Sequence, residues 1–278
     1  MLELMYITNN VDVAEIVEES GVDRVWVDLE TLGKEERQKG YDSVKSHHSI
    51  NDIAAIKAVL KKAKLQVRIN PINLNSKKEI DKVIANGADI IMLPYYKTVE
   101  EVEKFSQFVA GRAKTVLLLE TKEANECLDK TLLVPGIDEI HIGLNDLHLS
   151  YGKTFMFELL TDGTVETICK KIKATGKPYG FGGVAKLGGG MLPAEKVIME
   201  HYRLGSTRAI LSRSFCMLDE YNSIEEVRTA FTNEMNKLRD FEKYVEKIDE
   251  KTLDKNHSDV ADSVTEIVKK IIENRGNN

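Results

Sequence analysis

Short runs rich in β-branched and apolar residues alternate along the chain with longer stretches in which apolar positions recur every third or fourth residue. The short runs predict strands at LELMYI (2–7), RVWVDLE (24–30), LQVRIN (65–70), DIIMLP (89–94), KTVLLLE (114–120), EIHIGL (139–144), KPYGFGG (177–183) and RAILSRS (208–214), eight in all. The stretches between them, VAEIVEESG, INDIAAIKAVLKKA, SKKEIDKVIANG, TVEEVEKFSQFVAG, ANECLDKTLLV, TVETICKKIKATG and LPAEKVIMEHYRLG, predict helices, several closing on Gly. An eighth helical stretch begins at Ser223. Eight strands each followed by a helix predict a closed (β/α)8 TIM barrel. No GxGxxG follows the first strand, which argues against a dinucleotide-binding sheet.

Two segments exceed this minimal plan. A polar insertion, TLGKEERQKGYDSVKSHHS, follows the second strand, and because loops after strands lie on the catalytic face of such barrels it is expected to border a site. A charged extension from about Asp240 divides the chain into a barrel domain over 1–240 and a helical extension over 241–278. In it Val260, Val264, Ile267, Val268, Ile271 and Ile272 form one apolar stripe at helical spacing, expected to dock on another subunit of a homo-oligomer.

Composition narrows the partners. A chain of 278 residues, 42% hydrophobic, suffices for a full barrel core. The formal charge of −6, with bases interleaved among acids, argues against nucleic acid as a partner. No apolar stretch reaches the ~20 residues of a membrane span, and MLELMYITNN lacks the basic start of a signal peptide, so no membrane association and a cytoplasmic location are expected. Cys127, Cys169 and Cys216 are odd in number, widely spaced and set in apolar patterns, which reads as buried thiols rather than disulfides or a zinc site.

Barrel active sites collect where strands end. Strand two ends in Asp28 and Glu30, strand three in Arg68 and Asn70, strand five in Glu120, strand six in Asn145 and Asp146, and strand eight in Ser212, Arg213 and Ser214. Glu120 and Asp146, on adjacent strands, can supply hard oxygen ligands to Mg²⁺ or Mn²⁺ and leave the other positions to water and substrate. The same spacing also suits an ion pair of Glu120 with Lys122 and an N-cap role for Asp146, and the residues alone leave both readings open.

The stretch LLLETKEANECLDKTLLVPGIDEIHIGLNDLHLSYG resembles the metal-binding part of the HpcH/HpaI aldolase and citrate lyase family, in which a strand-end Glu in an ETxEA-type motif is followed roughly 25 residues later by IGxxDLxxxxG. The resemblance continues upstream through GADIIMLP, VRINPIN and GVDRVWVDLE, covering roughly the first 150 residues in order. It implies a metal-dependent lyase or aldolase making or breaking a carbon–carbon bond beside a 2-oxo acid such as pyruvate. Glu120 and Asp146 match the family's metal ligands, and Arg68 matches the arginine that touches the oxo group. The N–H groups near Asn145 and Asp146 match those receiving the substrate carboxylate, with Gly143 permitting the close approach. The chemistry agrees, since cleavage leaves an enolate whose charge a metal ion and a guanidinium stabilise. Arg68 is also placed to pair structurally with Asp28 or Glu30.

One position departs from the pattern. The aldolase branch ends strand two in D-x-E-H, its histidine serving as acid and base with the aspartate orienting it, whereas this chain reads Asp28-Leu29-Glu30-Thr31. A threonine does not exchange protons near neutral pH as an imidazole does. The insertion places His47 and His48 just before the next helix, and His48, with Asp28 beside it, is expected to take over that role. His148, two residues past Asp146, reads as a surface residue at a helix start, and Lys186 lies in a loop unsuited to Schiff-base chemistry. The run GFGGVAKLGGG serves equally well for a phosphate or for tight turns. A CoA-thioester lyase of the citrate lyase type, and a catalytically silent relative that binds metal and a small acid, are the alternatives to the aldolase.

Overall fold

A computed structural model describes residues 1–33 and 48–276 of the protein. Most of the insertion after strand two, His47 included, lies outside the described residues. Eight parallel strands close in sequence order into one barrel: β1 Glu3–Ile7, β2 Arg24–Asp28, β3 Lys64–Arg68, β4 Ile90–Leu93, β5 Lys114–Leu119, β6 Glu139–Ile142, β7 Tyr179–Val184 and β8 Arg208–Leu211. Alternating helices and C-terminal helices complete a (β/α)8 TIM barrel. Most strands stop short of the apolar run that predicts them, so Glu30, Asn70 and Glu120 stand just past the ladder, while Asp146 lies in the helix that follows β6. No helix among the described residues is long and apolar enough to cross a membrane.

The chain folds as two compact units, Leu4–His141 and Met1–Glu3 with Ile142–Asn278. The first holds α1 Val11–Glu19, α2 Ile50–Val59, α3 Ser76–Ala85, α4 Val99–Val109, α5 Lys122–Glu126 and α6 Leu128–Thr131. Helix starts follow local capping chemistry. Asn10 caps α1, and Thr98 with Glu101 forms a capping box at α4. The single helix predicted over ANECLDKTLLV is two, because Cys127 leaves helical geometry (φ −96°, ψ 7°) with its thiol turned toward the Lys97 carbonyl.

The register of β2 on β3 pairs Arg24 with Lys64, Trp26 with Gln66 and Asp28 with Arg68. Side-chain alternation then stacks polar layers inside the strands. Near the strand starts Arg24 binds Gln66 Oε1 at 3.2 Å and Glu139 Oε2 at 2.7 Å. Trp26 forms the middle layer, and the Arg68 guanidinium lies 5.1 Å from its ring centre at the strand ends.

The second unit holds α7 Leu144–Ser150, α8 Glu158–Thr161, α9 Thr164–Lys173, α10 Ala194–Leu204, α11 Ile224–Val245 and α12 Glu250–Gly276. Helix α11 continues past Asp240, so the last barrel helix and the extension part at the turn after Val245. On α12, Val260 and Val264 are buried, while Ile272 remains 55% exposed. Asn256 and His257 meet Glu200 of α10, and Lys196 of α10 donates to the Asp259 carbonyl and to Ser263, so α12 runs antiparallel along α10 of its own chain. The first glycines of GFGGVAKLGGG belong to β7, where packing demands them. A Cβ at Gly180 would stand 2.2 Å from the Arg208 carbonyl oxygen.

Candidate active site

Arg68 ends β3 as a fork clamped by an acid that ends β2. Its Nε donates to Asp28 Oδ1 at 2.8 Å and its Nη2 to Asp28 Oδ2 at 2.7 Å, the bidentate geometry for which guanidinium is suited. Glu30 Oε2 stands 3.4 Å from Nε. Asp28 and Glu30 are each 2% exposed. Burial by itself would lower the Arg68 pKa, but the charges of Asp28, Glu30 and Glu120 outweigh it and hold the group well above its ordinary range. Arg68 is therefore a permanent cation. Among the described residues Nη1 makes no hydrogen bond, and the side chain is 12% exposed, so one edge of the fork is left for a ligand oxygen.

His48 returns to the same strand end. It precedes Ser49, which with Asp52 forms the capping box of α2, and its Nδ1 accepts the Asp28 backbone N–H at 2.9 Å. The bond assigns the tautomer, since a nitrogen that accepts carries no proton and a neutral ring must then carry it on Nε2. Thr31, at the position for which the aldolase resemblance implied histidine, is exposed and tied elsewhere. Asn70 Oδ1 accepts the N–H groups of Thr31 and Leu32, both at 2.9 Å, and the Thr31 hydroxyl at 3.3 Å. Asn70 is held in turn by Glu79 Oε1 through its side-chain amide at 2.8 Å. Burial raises the Glu79 pKa against those hydrogen bonds. Sequence reasoning placed Asn70 at a strand end and missed this clamp, because nothing in the local pattern names Thr31 as its partner.

Glu120 follows β5 directly and is 2% exposed. Its Oε1 accepts the Tyr95 N–H at 2.9 Å from the turn after β4. The ion pair suggested by Lys122 has another partner in reach, Glu126 at 3.8 Å. A buried, anchored carboxylate that lies in the field of Arg68 is a hard oxygen donor of the kind Mg²⁺ and Mn²⁺ prefer, so this residue fits the metal that the sequence motif implies.

In the second unit, Gly143 caps α7, and Asp146 is its third residue, which removes the N-cap reading for Asp146. Asp146 is 8% exposed and Asn145 is exposed. Asn145 and Asp146 stand in the first turn of α7, where backbone N–H groups point along the helix axis toward its start. His148 differs from expectation. It is buried at 6% exposure on α7, its Nδ1 lies 3.2 Å from the Leu144 carbonyl, and burial lowers its pKa. Its position on the buried side of a short helix, beside Leu144 and Leu147, accounts for the difference.

A model of the HpcH/HpaI aldolase/citrate lyase family matches residues 3–185 of this 278-residue chain. No match was found among curated protein sequences. Among solved structures the chain is similar to the HpcH/HpaI aldolase from Desulfitobacterium hafniense DCB-2, with a TM-score of 0.61 and 17% identity over 82% of this chain and 92% of that one. A HpcH/HpaI aldolase/citrate lyase family protein from Burkholderia cenocepacia J2315 aligns with a TM-score of 0.60 and 13% identity over 82% and 94%. The citrate synthase SbnG aligns with a TM-score of 0.58 and 18% identity over 76% and 85%. At such identities these likenesses speak for the fold alone. The family model, spanning most of the barrel, speaks for descent, and the chain belongs to the HpcH/HpaI aldolase/citrate lyase family.

Proposed function

We propose that the protein is a divalent-metal-dependent carbon–carbon lyase that cleaves or forms the bond next to a 2-oxo acid such as pyruvate. Glu120 and Asp146 hold Mg²⁺ or Mn²⁺ in this reading, Arg68 meets the oxo group, and the N–H groups near Asn145 and Asp146 receive the substrate carboxylate. The observation that supports it best is the clamped Arg68 fork, permanently charged, with Nη1 unused among the described residues and Glu120 within its field. When bound, the cation supplies Lewis-acid stabilisation of negative charge on a substrate oxygen.

The chain's own residues supply the rest. Bond cleavage pushes an electron pair into the oxo-acid half, and the Nη1–H of Arg68 donates to the oxygen where that charge appears. Asp28 keeps the fork from swinging away. With Nδ1 accepting the Asp28 amide, a neutral His48 offers only a hydrogen-bond donor at Nε2, and it takes up a proton only after Nδ1 leaves that amide. A specific observation thus favours a second reading, a relative that binds metal and a small acid without turnover. Thr31 is tied to Asn70, and the basic nitrogen of His48 is occupied.

The test is pyruvate release from 4-hydroxy-2-oxo acids, with Mn²⁺ or Mg²⁺ and with a chelator. Metal-dependent release is expected, and His48→Asn, whose amide oxygen can still accept the Asp28 N–H, should lower kcat by about 10²-fold or more. Turnover of malyl-CoA or citryl-CoA instead would move the assignment to a thioester lyase. Pyruvate or oxalate binding with neither turnover nor exchange of pyruvate methyl protons would establish the silent relative.

A further inference from the structure

Two non-glycine residues have positive φ among the described residues. Ala110, at 51°, closes α4 in the left-handed conformation common at helix ends. Tyr95, at 49°, has no such excuse. It follows Pro94 in the turn that leaves β4, and its large side chain makes the conformation unfavourable. Backbone strain of this kind persists where the surroundings hold it in place, and it concentrates at functional positions.

The turn grips two consecutive residues at the end of β5. The Tyr95 N–H donates to Glu120 Oε1 at 2.9 Å, and the Tyr96 carbonyl accepts the Thr121 hydroxyl at 2.8 Å. Thr121 is 1% exposed and caps α5 by accepting the Ala124 N–H at 3.0 Å, so it cannot shift freely. The φ rotation of Tyr95 relates the two grips. With its N–H kept on Glu120, turning φ to the ordinary negative range swings the Tyr96 carbonyl off Thr121. The ring itself is half-buried, with the Lys97 ammonium 5.3 Å from its centre.

We propose that the left-handed peptide at Tyr95 is a positioning device for Glu120: its N–H fixes the orientation of the carboxylate and thereby sets the affinity of the site for a divalent cation. This rests on the reading of Glu120 as a metal ligand. Tyr95 is a positioning residue whose backbone acts and whose side chain is dispensable for the purpose.

The experiment measures Mn²⁺ affinity by calorimetry, and melting temperature, on the full chain and four variants. Tyr95→Gly accepts positive φ and keeps the N–H, so it should bind Mn²⁺ within about twofold of the parent and melt no lower. Tyr95→Val, and Tyr95→Ala should valine fail to fold, press φ toward negative values and should weaken Mn²⁺ about tenfold or more while the circular dichroism of the fold persists. Glu120→Gln should weaken it further still. Should Tyr95→Val and Tyr95→Ala bind as tightly as the parent while Glu120→Gln does not, the positioning role falls and the ligand reading survives. Should Tyr95→Gly bind as weakly as Tyr95→Val, the ring is responsible and the proposal is overturned. Parent-like binding by Glu120→Gln would remove the ligand reading, and the proposal with it.

Discussion

Each unit of the chain buries an arginine against carboxylates, and the two clusters do different work. Arg68 lies at the end of a strand with Asp28 and Glu30, and its Nη1 stays out of every hydrogen bond among the described residues. Arg203 lies on an outer helix, binds Glu200 at 2.9 Å and Glu166 at 3.2 Å, and shares Glu200, which is fully buried, with Asn256 and His257 of α12. Glu242 repeats the second pattern, accepting from the Leu2 N–H, Tyr202 and Arg239. The outer carboxylates gather donors from several elements and hold chain segments together. The strand-end cluster fixes a guanidinium and leaves an edge of it for something else. Chemistry alone does not separate the two; the position at a strand end or on an outer helix does.

The contrast breaks first, if it is wrong, at Arg68. Arg68→Lys keeps the charge but loses the fork, and should reduce kcat/KM for pyruvate release by about 10²-fold or more. Near-parent kinetics would make the cluster as structural as its outer counterpart. Glu200→Gln should do the reverse. Losing a fully buried charge beside Arg203 should lower the unfolding free energy in urea by about 2–4 kcal/mol, loosen α12 in hydrogen exchange and leave kcat and KM unchanged.

The smallest effect sharpens the comparison within the first unit. Burial raises the Glu79 pKa, so the folded state binds its proton more tightly than the unfolded chain does. Its contribution to stability is fully present below the ordinary value of 4.5 and is lost as pH rises through the higher folded value. Glu79→Gln keeps an oxygen for Asn70 without the buried charge. It should match the parent near pH 4 and melt slightly higher at pH 7, by an amount worth about 1 kcal/mol or less. Equal melting temperatures across that range would show that burial of the charge does not matter there.

Much of the architecture was legible in the residues. Strands and helices follow from periodicity and from caps such as Thr98 and Ser223, which are local and need no knowledge of the rest of the chain. The Glu120 and Asp146 motifs were legible for the same reason, since each is a short run read in order. What stayed hidden depends on pairs distant in sequence. The pairing of Arg68 with Asp28 or Glu30 was open from the strand ends, and only the structure gives it the bidentate form on Asp28; His48 meets the Asp28 amide across 20 residues and Tyr95 reaches Glu120 across 25. Periodicity says which face of an element is buried, never against what. It predicted the stripe on α12 but could not place Val260 and Val264 in a helix that packs along α10 of the same chain, nor put His148 inside.

By itself, then, the sequence determined eight strand and helix repeats and the family motif, because these are set by residues within a few positions of one another. The tertiary structure alone decided that Arg68, of its two open acidic partners, is clamped bidentately by Asp28 with one edge to offer, that Thr31 is tied to Asn70 while His48 takes the Asp28 amide, and that Tyr95 is held left-handed. Each of these is a contact that exists only once strand register has brought separate strand ends together.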